Sequence, residues 1–457
     1  MPHRRIPSAV VATLALLAPT LQAAGQELRF TAGQLREDFV VLERSIRGVH
    51  PDLAHSVSEN EFDAALRALQ SQLTQPMTRD EAWRHFARLN PVLADGHLFV
   101  TFNDWRGEVA THRRAGGLLF PFEVQLAPDG LLIRSLLGGG PTDLAGSRVL
   151  TIDGVPAADV CHQLLLRAHG DTPAFREALI SRRFWFYYWK LYGAPATFDV
   201  VIAGADARRA PGVRRFAGSP AQPVLLADET DFGQQFRFEL RSGRAAVLTL
   251  GTFDWHDKDE FLRFTRDAFA KIRDAGIETL VLDVRANGGG DDAFWREGIL
   301  PYVATQRWRW GSTYRKRVLE QYRDEGETVG EVVSGTLDQW IEPGRDDPLR
   351  FKGRTVVLVG PSTYSSGILF ANVMQDFGFG TLAGTGGAAR ADQSGSVQKF
   401  ALPNTGFAVY VPRFVLARPA GASCRLCSNA LVQPDIAIAE IPLNARAAID
   451  EVLRRIR

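Results

Sequence analysis

The 457-residue sequence predicts an α/β protein with a helical amino-terminal segment and a β-rich middle. Three observations predict it. From about residue 224 onward, apolar runs of strand length alternate with amphipathic stretches of helix length, the pattern of a sheet flanked by helices. Between about residues 30 and 91, apolar side chains recur at helical spacing. Between about residues 116 and 212 they fall into short runs separated by turn residues. Hydrophobic residues make up 45% of the chain, enough for a large core, and the length fits two or three domains.

The first stretch, residues 1–24, reads as a secretory signal peptide. His3, Arg4 and Arg5 are basic, residues 9–18 are apolar but too few to span a bilayer, and Ala23 and Ala24 are small residues suited to cleavage. The mature chain is therefore expected to be periplasmic or extracellular, with no membrane span of its own; an uncleaved anchor is the alternative. Residues 28–108 read as a helical domain. Leu35, Phe39, Leu42 and Ile46 share one helical face, as do Phe62, Ala65, Leu66 and Leu69, and Thr78 with Glu81 forms a capping box. This domain carries the turn Asp95, Gly96, His97. Residues 115–215 hold candidate strands at 131–133, 148–152 and 198–202, with turns at Gly130 and at Asp153 and Gly154. The aromatic run at 182–190 is best read as helix packing. Residues 224–457 form the core. A strand at 246–250 precedes a helix opened by Asp257 and Glu260, faced by Phe261, Phe264, Ala268 and Ile272, and stopped at Gly276. A strand at 279–283, a helix from Asp292, a strand at 355–359 and a helix at 368–376 follow. Residues 307–350 are charged and read as an irregular insertion or lid.

The chemistry-bearing segments lie at strand ends. The strand at 355–359 runs into a turn holding Ser362, Thr363, Ser365 and Ser366, which opens a helix. A serine there is held rigidly beside the free N–H groups of the helix start, where an oxyanion would meet donors already in place. The plainer reading is an ordinary helix cap. The strand at 279–283 runs into Gly288, Gly289 and Gly290, whose backbone can turn successive N–H groups into one hollow or simply form a flexible turn. Asp283 and Arg285 read as a structural ion pair. His97, between a turn glycine and an apolar strand, can face a cleft.

Together, in this order, these segments resemble the tail-specific or C-terminal-processing serine peptidases, whose relatives include the tricorn protease core and retinoid-binding repeat proteins. The matching residues are Asp283, Arg285, Asn287, Gly289 and Gly290, then Thr363 and Ser365. Asp95, Gly96 and His97 match the tricorn-like, His-dependent branch. Leu402 to Gly406 and Pro434, Asp435 and Ile436 extend the likeness. It implies a spiral ββα core like that of Clp-type proteases and crotonases. Residues 149–155 also resemble the strand–turn of a PDZ domain, which binds peptides by adding a strand. The resemblance implies that Ser365 is the nucleophile and His97 the general base. The oxyanion hole would use N–H groups of Ser366 and of Gly289 or Gly290, and Ser366 is the rival nucleophile. Two departures stand out. Residues 384–390 lack the lysine of the Ser–Lys branch, and Arg390 cannot act as a base because a guanidinium keeps its proton. Residues 427–433 lack the glutamate that orients the histidine in the tricorn-like branch, leaving Ser428, Asn429, Asp95 and Asp392 as candidates.

The implied function is a secreted serine endopeptidase acting on peptides or proteins through a Ser–His acyl-enzyme, with no cofactor or metal. The alternatives are a non-catalytic peptide- or lipid-binding protein on the same scaffold, or an esterase. A formal net charge of +1 gives no reason to expect nucleic acid or an anionic membrane as partner, and nothing in the sequence speaks to oligomeric state. Cys424 and Cys427 are expected to form a local disulfide, leaving Cys161 free; two thiols alone make a poor zinc site.

Overall fold

The computed structural model describes residues 28–128, 130–203, 212–344, 347–421, 431–439 and 445–456. The signal-like segment and Cys424, Cys427, Ser428 and Asn429 lie outside the described residues. Among the described residues no helix is long and apolar enough to cross a membrane.

The α/β expectation holds. The core is a six-stranded sheet in the order Phe236–Arg241, Ala245–Leu250, Thr279–Asp283, Arg354–Val359, Thr381–Gly384 and Ile436–Ala437. Its first pair is antiparallel and the rest are parallel. Its central strands are apolar on both faces because both faces are covered. Leu248, Leu280, Leu282 and Val357 pack with Phe261, Phe269 and Ile272 of the helix Lys258–Asp274 and with Ile368 and Phe370 of Ser366–Asp376. On the other face Val247, Val281, Val356 and Leu358 meet Ala448, Ile449 and Val452 of Ala445–Arg455. Burying one such side chain contributes about 1.5–3 kcal/mol, so the Ser366 helix is held by packing. Thr279–Asp283 and Arg354–Val359 are adjacent and parallel, so the glycine run and the serine turn emerge side by side at the same edge of the sheet.

A second sheet joins Val332–Thr336, Thr313–Arg317, Phe407–Leu416 and Gln393–Ala401. The short strand Phe99–Phe102 pairs with its longest member, Phe99 opposite Tyr410. That pairing stitches the segment following His97 into the core. Residues 307–350 correct the sequence reading, because they contain two paired strands and line no part of the cavity described below. Charge disguised the strand. Lys316 is buried and pairs with Asp324 and Glu327, while Thr313 and Arg315 face outward.

The amino-terminal helices Ala32–Val49, Glu59–Gln72 and Arg79–Phe86 each open with a capping box, at Thr31, Ser58 and Thr78. The β-rich middle is an antiparallel sheet of Phe122–Ala127, Gly130–Leu136, Arg148–Ile152, Thr197–Ala203 and Gly212–Ala217. The helix Pro173–Tyr192 packs on it through Phe184 and Tyr188, which meet Phe120; Tyr188 also meets Phe198. The aromatic run thus packs the helix through Phe184 and Tyr188, as expected, while Phe186 and Tyr187 line the cavity described below.

Candidate active site

The serine turn is pinned from beneath. Thr363 Oγ1 donates to the Val284 carbonyl at 2.8 Å and accepts from Gly360 N at 2.9 Å. Tyr364 N donates to the Asn287 carbonyl at 2.9 Å. These bonds hold Ser365 at φ 52° and ψ −126°, a region that costs a non-glycine residue about 1–3 kcal/mol. Ser365 N donates to Gln393 Oε1 at 3.1 Å. The neighbouring hydroxyl points elsewhere: Ser366 is buried, donates to Asp292 Oδ1, and accepts from Trp295 Nε1 at 2.9 Å.

The glycine run wraps the same point. Asn287 is fully buried; its Nδ2 donates to the Leu250 carbonyl at 3.0 Å and its Oδ1 accepts from Gly289 N at 2.9 Å. Gly289 has φ 106°, and a Cβ there would lie 2.5 Å from Ser365 Cβ and 3.0 Å from Ser366 N. Glycine is required for both reasons. The Gly289 N–H is therefore already engaged. The Gly289 carbonyl accepts from Phe253 N at 2.9 Å, and in a trans peptide that turns the Gly290 N–H away from Phe253. Among the described residues the N–H groups of Ser366 and Gly290 make no hydrogen bond. Asp283 and Arg285 form the expected ion pair at 2.7 Å.

The histidine arrives on a turn held by Asp171 and Tyr364, neither of which the sequence reading singled out. Gly96 N donates to both Asp171 Oδ1 and Tyr364 Oη, each at 2.9 Å, and Tyr364 Oη donates to Asp171 Oδ1 at 2.7 Å. A Cβ on Gly96 would come within 2.4 Å of the tyrosine ring, so this close approach needs glycine. Asp171 Oδ2 accepts from Arg390 N at 2.8 Å, tying in the loop that lacks a lysine. The His97 ring rests against Tyr364 with centroids 4.8 Å apart.

His97 Nδ1 lies 3.0 Å from Ser394 Oγ, and Ser394 Oγ donates to Asp95 Oδ1 at 2.8 Å. Asp95 Oδ1 also accepts from His97 N at 2.7 Å. The tautomer follows. An ionised carboxylate only accepts, so the single hydroxyl proton of Ser394 goes to Asp95. Nδ1–H of His97 must then donate to Ser394, which leaves Nε2 with a lone pair. Burial acts to raise the Asp95 pKa, but His50 and the charges of His97 and His55 outweigh it and hold the group below the usual carboxylate range. His50 Nε2 is 4.0 Å from Asp95 Oδ2, too long for a full hydrogen bond. Burial pushes the His97 pKa down against the opposing charges of Asp95 and Asp171, so the ring is neutral at neutral pH. Of the proposed orienting groups, Asp95 reaches His97 through Ser394, and Asp392 instead accepts from Arg418 N at 3.0 Å. Among the described residues no hydrogen bond joins Ser365 Oγ to His97.

A cavity of about 730 Å³ opens here, lined by His97, Tyr364, Gly288, Gly289 and Gly290; Ser365 is not among its lining residues but adjoins Gly289, which is. Among the described residues no cluster of three or more His, Cys, Asp or Glu could hold a metal ion. Residues 244–438, which contain the central sheet from its second strand onward, the glycine run and the serine turn, match the model of peptidase family S41. That region of the chain is thus similar to peptidase family S41. The match marks residues 244–438 as a peptidase region. The chain shares its fold with mature CPAF, at TM-score 0.64 and 15% identity over 93% of this chain and 96% of that one. Mature CPAF complexed with lactacystin aligns equally well, at TM-score 0.64 and 15% identity over 93% and 97%. The photosystem II D1 C-terminal processing protease aligns at TM-score 0.46 and 16% identity over 92% and 97%. Among curated proteins none matches.

Proposed function

We propose that this chain is an exported serine endopeptidase of family S41, of the His-dependent, tricorn-like kind, cleaving peptide bonds through an acyl-enzyme on Ser365. In the first step Ser365 Oγ attacks the scissile carbonyl and its proton passes to His97 Nε2. The carbonyl oxygen becomes an oxyanion, for which the N–H groups of Ser366 and Gly290 are the free donors. His97 then gives the proton to the leaving amine as the C–N bond breaks. Water, deprotonated by His97, attacks the ester, and collapse returns the proton to Ser365. His97 and Ser365 would close to bonding distance only with substrate, since catalytic hydrogen bonds are often long in a free enzyme.

The single observation that carries this reading is the chain His97–Ser394–Asp95, which leaves Nε2 of a cavity-lining histidine unprotonated; its ring rests against Tyr364, the residue before Ser365, which is held at positive φ. Further support comes from Ser366, whose hydroxyl is buried and engaged and so unsuited to attack. The antiparallel sheet at 122–217 with its short Arg148–Ile152 to Val155–Pro156 turn supports a PDZ-like role in presenting peptide. The core strands with their crossing helices support the spiral ββα assignment. Export rests on residues 1–24 alone, and mass measurement of the mature amino terminus tests it. For the chemistry, a fluorophosphonate probe should label the wild-type protein and Ser366→Ala, and fail on Ser365→Ala. Labelling that survives Ser365→Ala would overturn the assignment; no labelling of wild type, with tight uptake of peptide or lipid, would point to a binding protein.

A further inference from the structure

Three separate segments carry His97, Ser365 and Ser394, and all three donate to one buried carboxylate that the proposed chemistry does not use. Gly96 N and Tyr364 Oη donate to Asp171 Oδ1 at 2.9 and 2.7 Å, and Arg390 N donates to Oδ2 at 2.8 Å. Gly96 immediately precedes the base, and Tyr364 immediately precedes the nucleophile. The third segment closes the frame. Arg390 Nη1 donates to the Ala94 carbonyl at 2.6 Å, Gln393 Oε1 accepts from Ser365 N, and Ser394 meets His97 Nδ1.

The segment that supplies Asp171 is itself fixed. Asp171 immediately precedes Thr172, the cap of the helix Pro173–Tyr192, and Thr172 Oγ1 donates to the Ala388 carbonyl at 2.8 Å. The Phe175 ring meets the Tyr364 ring edge-on with centroids 4.7 Å apart. Gly170 has φ 136°, and a Cβ there would lie 2.1 Å from that Phe175 ring, so the turn behind the carboxylate needs glycine.

Donors on both oxygens suit the ionised form of Asp171, which only accepts. Burial and the charge of Asp95 push its pKa up, against the Arg390 N–H and guanidinium and the Tyr364 hydroxyl; the Arg176 guanidinium also feels its charge. That charge reaches the base. Asp95 and Asp171 both oppose the burial that lowers the His97 pKa, while His55 acts with the burial. His50 and His169 are the other titratable rings of the cluster, acting on Asp95 and beside His97.

We propose that Asp171 is a positioning residue of this site: its carboxylate ties the turn before the base to the turn before the nucleophile, and its charge steadies the imidazolium that forms when His97 takes the Ser365 proton. The inference rests on the Ser365–His97 reading for the reaction it serves. Two variants of the full-length protein separate the bridge from the charge. Asp171→Asn keeps an acceptor for Gly96 and Tyr364 but removes the charge. Tyr364→Phe keeps the charge and the ring but removes one bridge. On a fluorogenic peptide, kcat should fall about tenfold or more in each. In Asp171→Asn the KM should stay within about twofold of wild type, because Asp171 does not line the cavity. NMR of protein labelled on its histidine rings, with His97→Gln for assignment, follows the imidazole against pH without turnover. His97 should titrate at lower pH in Asp171→Asn than in wild type, a shift that a carboxylate serving only to hold the fold would not produce. If Asp171→Asn does not fold, Tyr364→Phe still tests the bridge through kcat. A His97 titration that stays in place in Asp171→Asn, or a kcat within about twofold of wild type in either folded variant, would overturn the inference. Wild-type protein that a fluorophosphonate fails to label would overturn the peptidase reading instead, and the NMR titration would still report whether Asp171 acts on His97.

Discussion

Ser394→Ala isolates the least expected part of the site. Ser394 is 4% exposed and makes two bonds, 3.0 Å from His97 Nδ1 and 2.8 Å to Asp95 Oδ1. Removing the hydroxyl leaves Nδ1–H without its acceptor and takes one donor from a buried carboxylate. The preference for the Nε2 lone-pair tautomer then loses a hydrogen bond coupled to a charge, worth about 1.5–3 kcal/mol. At about 1.36 kcal/mol per tenfold, kcat should fall by roughly 10- to 150-fold. KM should change little, because Ser394 lies behind the imidazole and does not line the cavity. The assay is steady-state cleavage of a fluorogenic peptide, with active enzyme counted by fluorophosphonate titration and folding followed by thermal melting. Ser394→Thr keeps the hydroxyl and should recover much of the rate. A kcat within twofold of wild type in folded Ser394→Ala would refute the relay, as would a loss matched entirely by unfolded protein.

Gly289→Ala should fold yet lose most activity, since the new Cβ would meet Ser365 Cβ at 2.5 Å and sit at φ 106°; circular dichroism with kcat measurement checks both halves. The pH profile of kcat/KM should show its acid limb below the ordinary histidine value of 6.5, because burial lowers the His97 pKa and only the neutral ring accepts the Ser365 proton. Asp95 holds that pKa up, so Asp95→Asn should move the limb to still lower pH while lowering the plateau. A limb that moves upward, or does not move, would contradict the assignment of His97 as base.

Much of this protein could be read from its residues in order. The central strands are legible because parallel strands covered on both faces must be apolar throughout, and Thr279–Asp283 and Arg354–Val359 are. The serine turn and the glycine run are legible because a helix start and close backbone contact each demand particular residue types at particular spacings, whereas the roles proposed for Ser365 and His97 rest on the family resemblance. Gly289 lies in a glycine run at positive φ, which chain position can suggest, but Gly96 is glycine because the ring of Tyr364, 268 residues away, packs against it. Strand Thr313–Arg317 was hidden because its charged side chains satisfy one another, through Lys316 with Asp324 and Glu327, and leave no apolar alternation to read.

Other features belong to the tertiary structure alone. Ser394 is 297 residues from His97 and Asp171 is 193 from Tyr364, and neither carries a local signal, since a buried serine or aspartate acquires its partner only when distant strands and turns converge. The three-dimensional arrangement likewise decided which N–H groups remain free, by spending that of Gly289 on Asn287. Local chemistry determines which backbone shapes a segment can adopt; hydrogen bonds and charges between remote segments are settled only by what the fold brings within 3 Å or so.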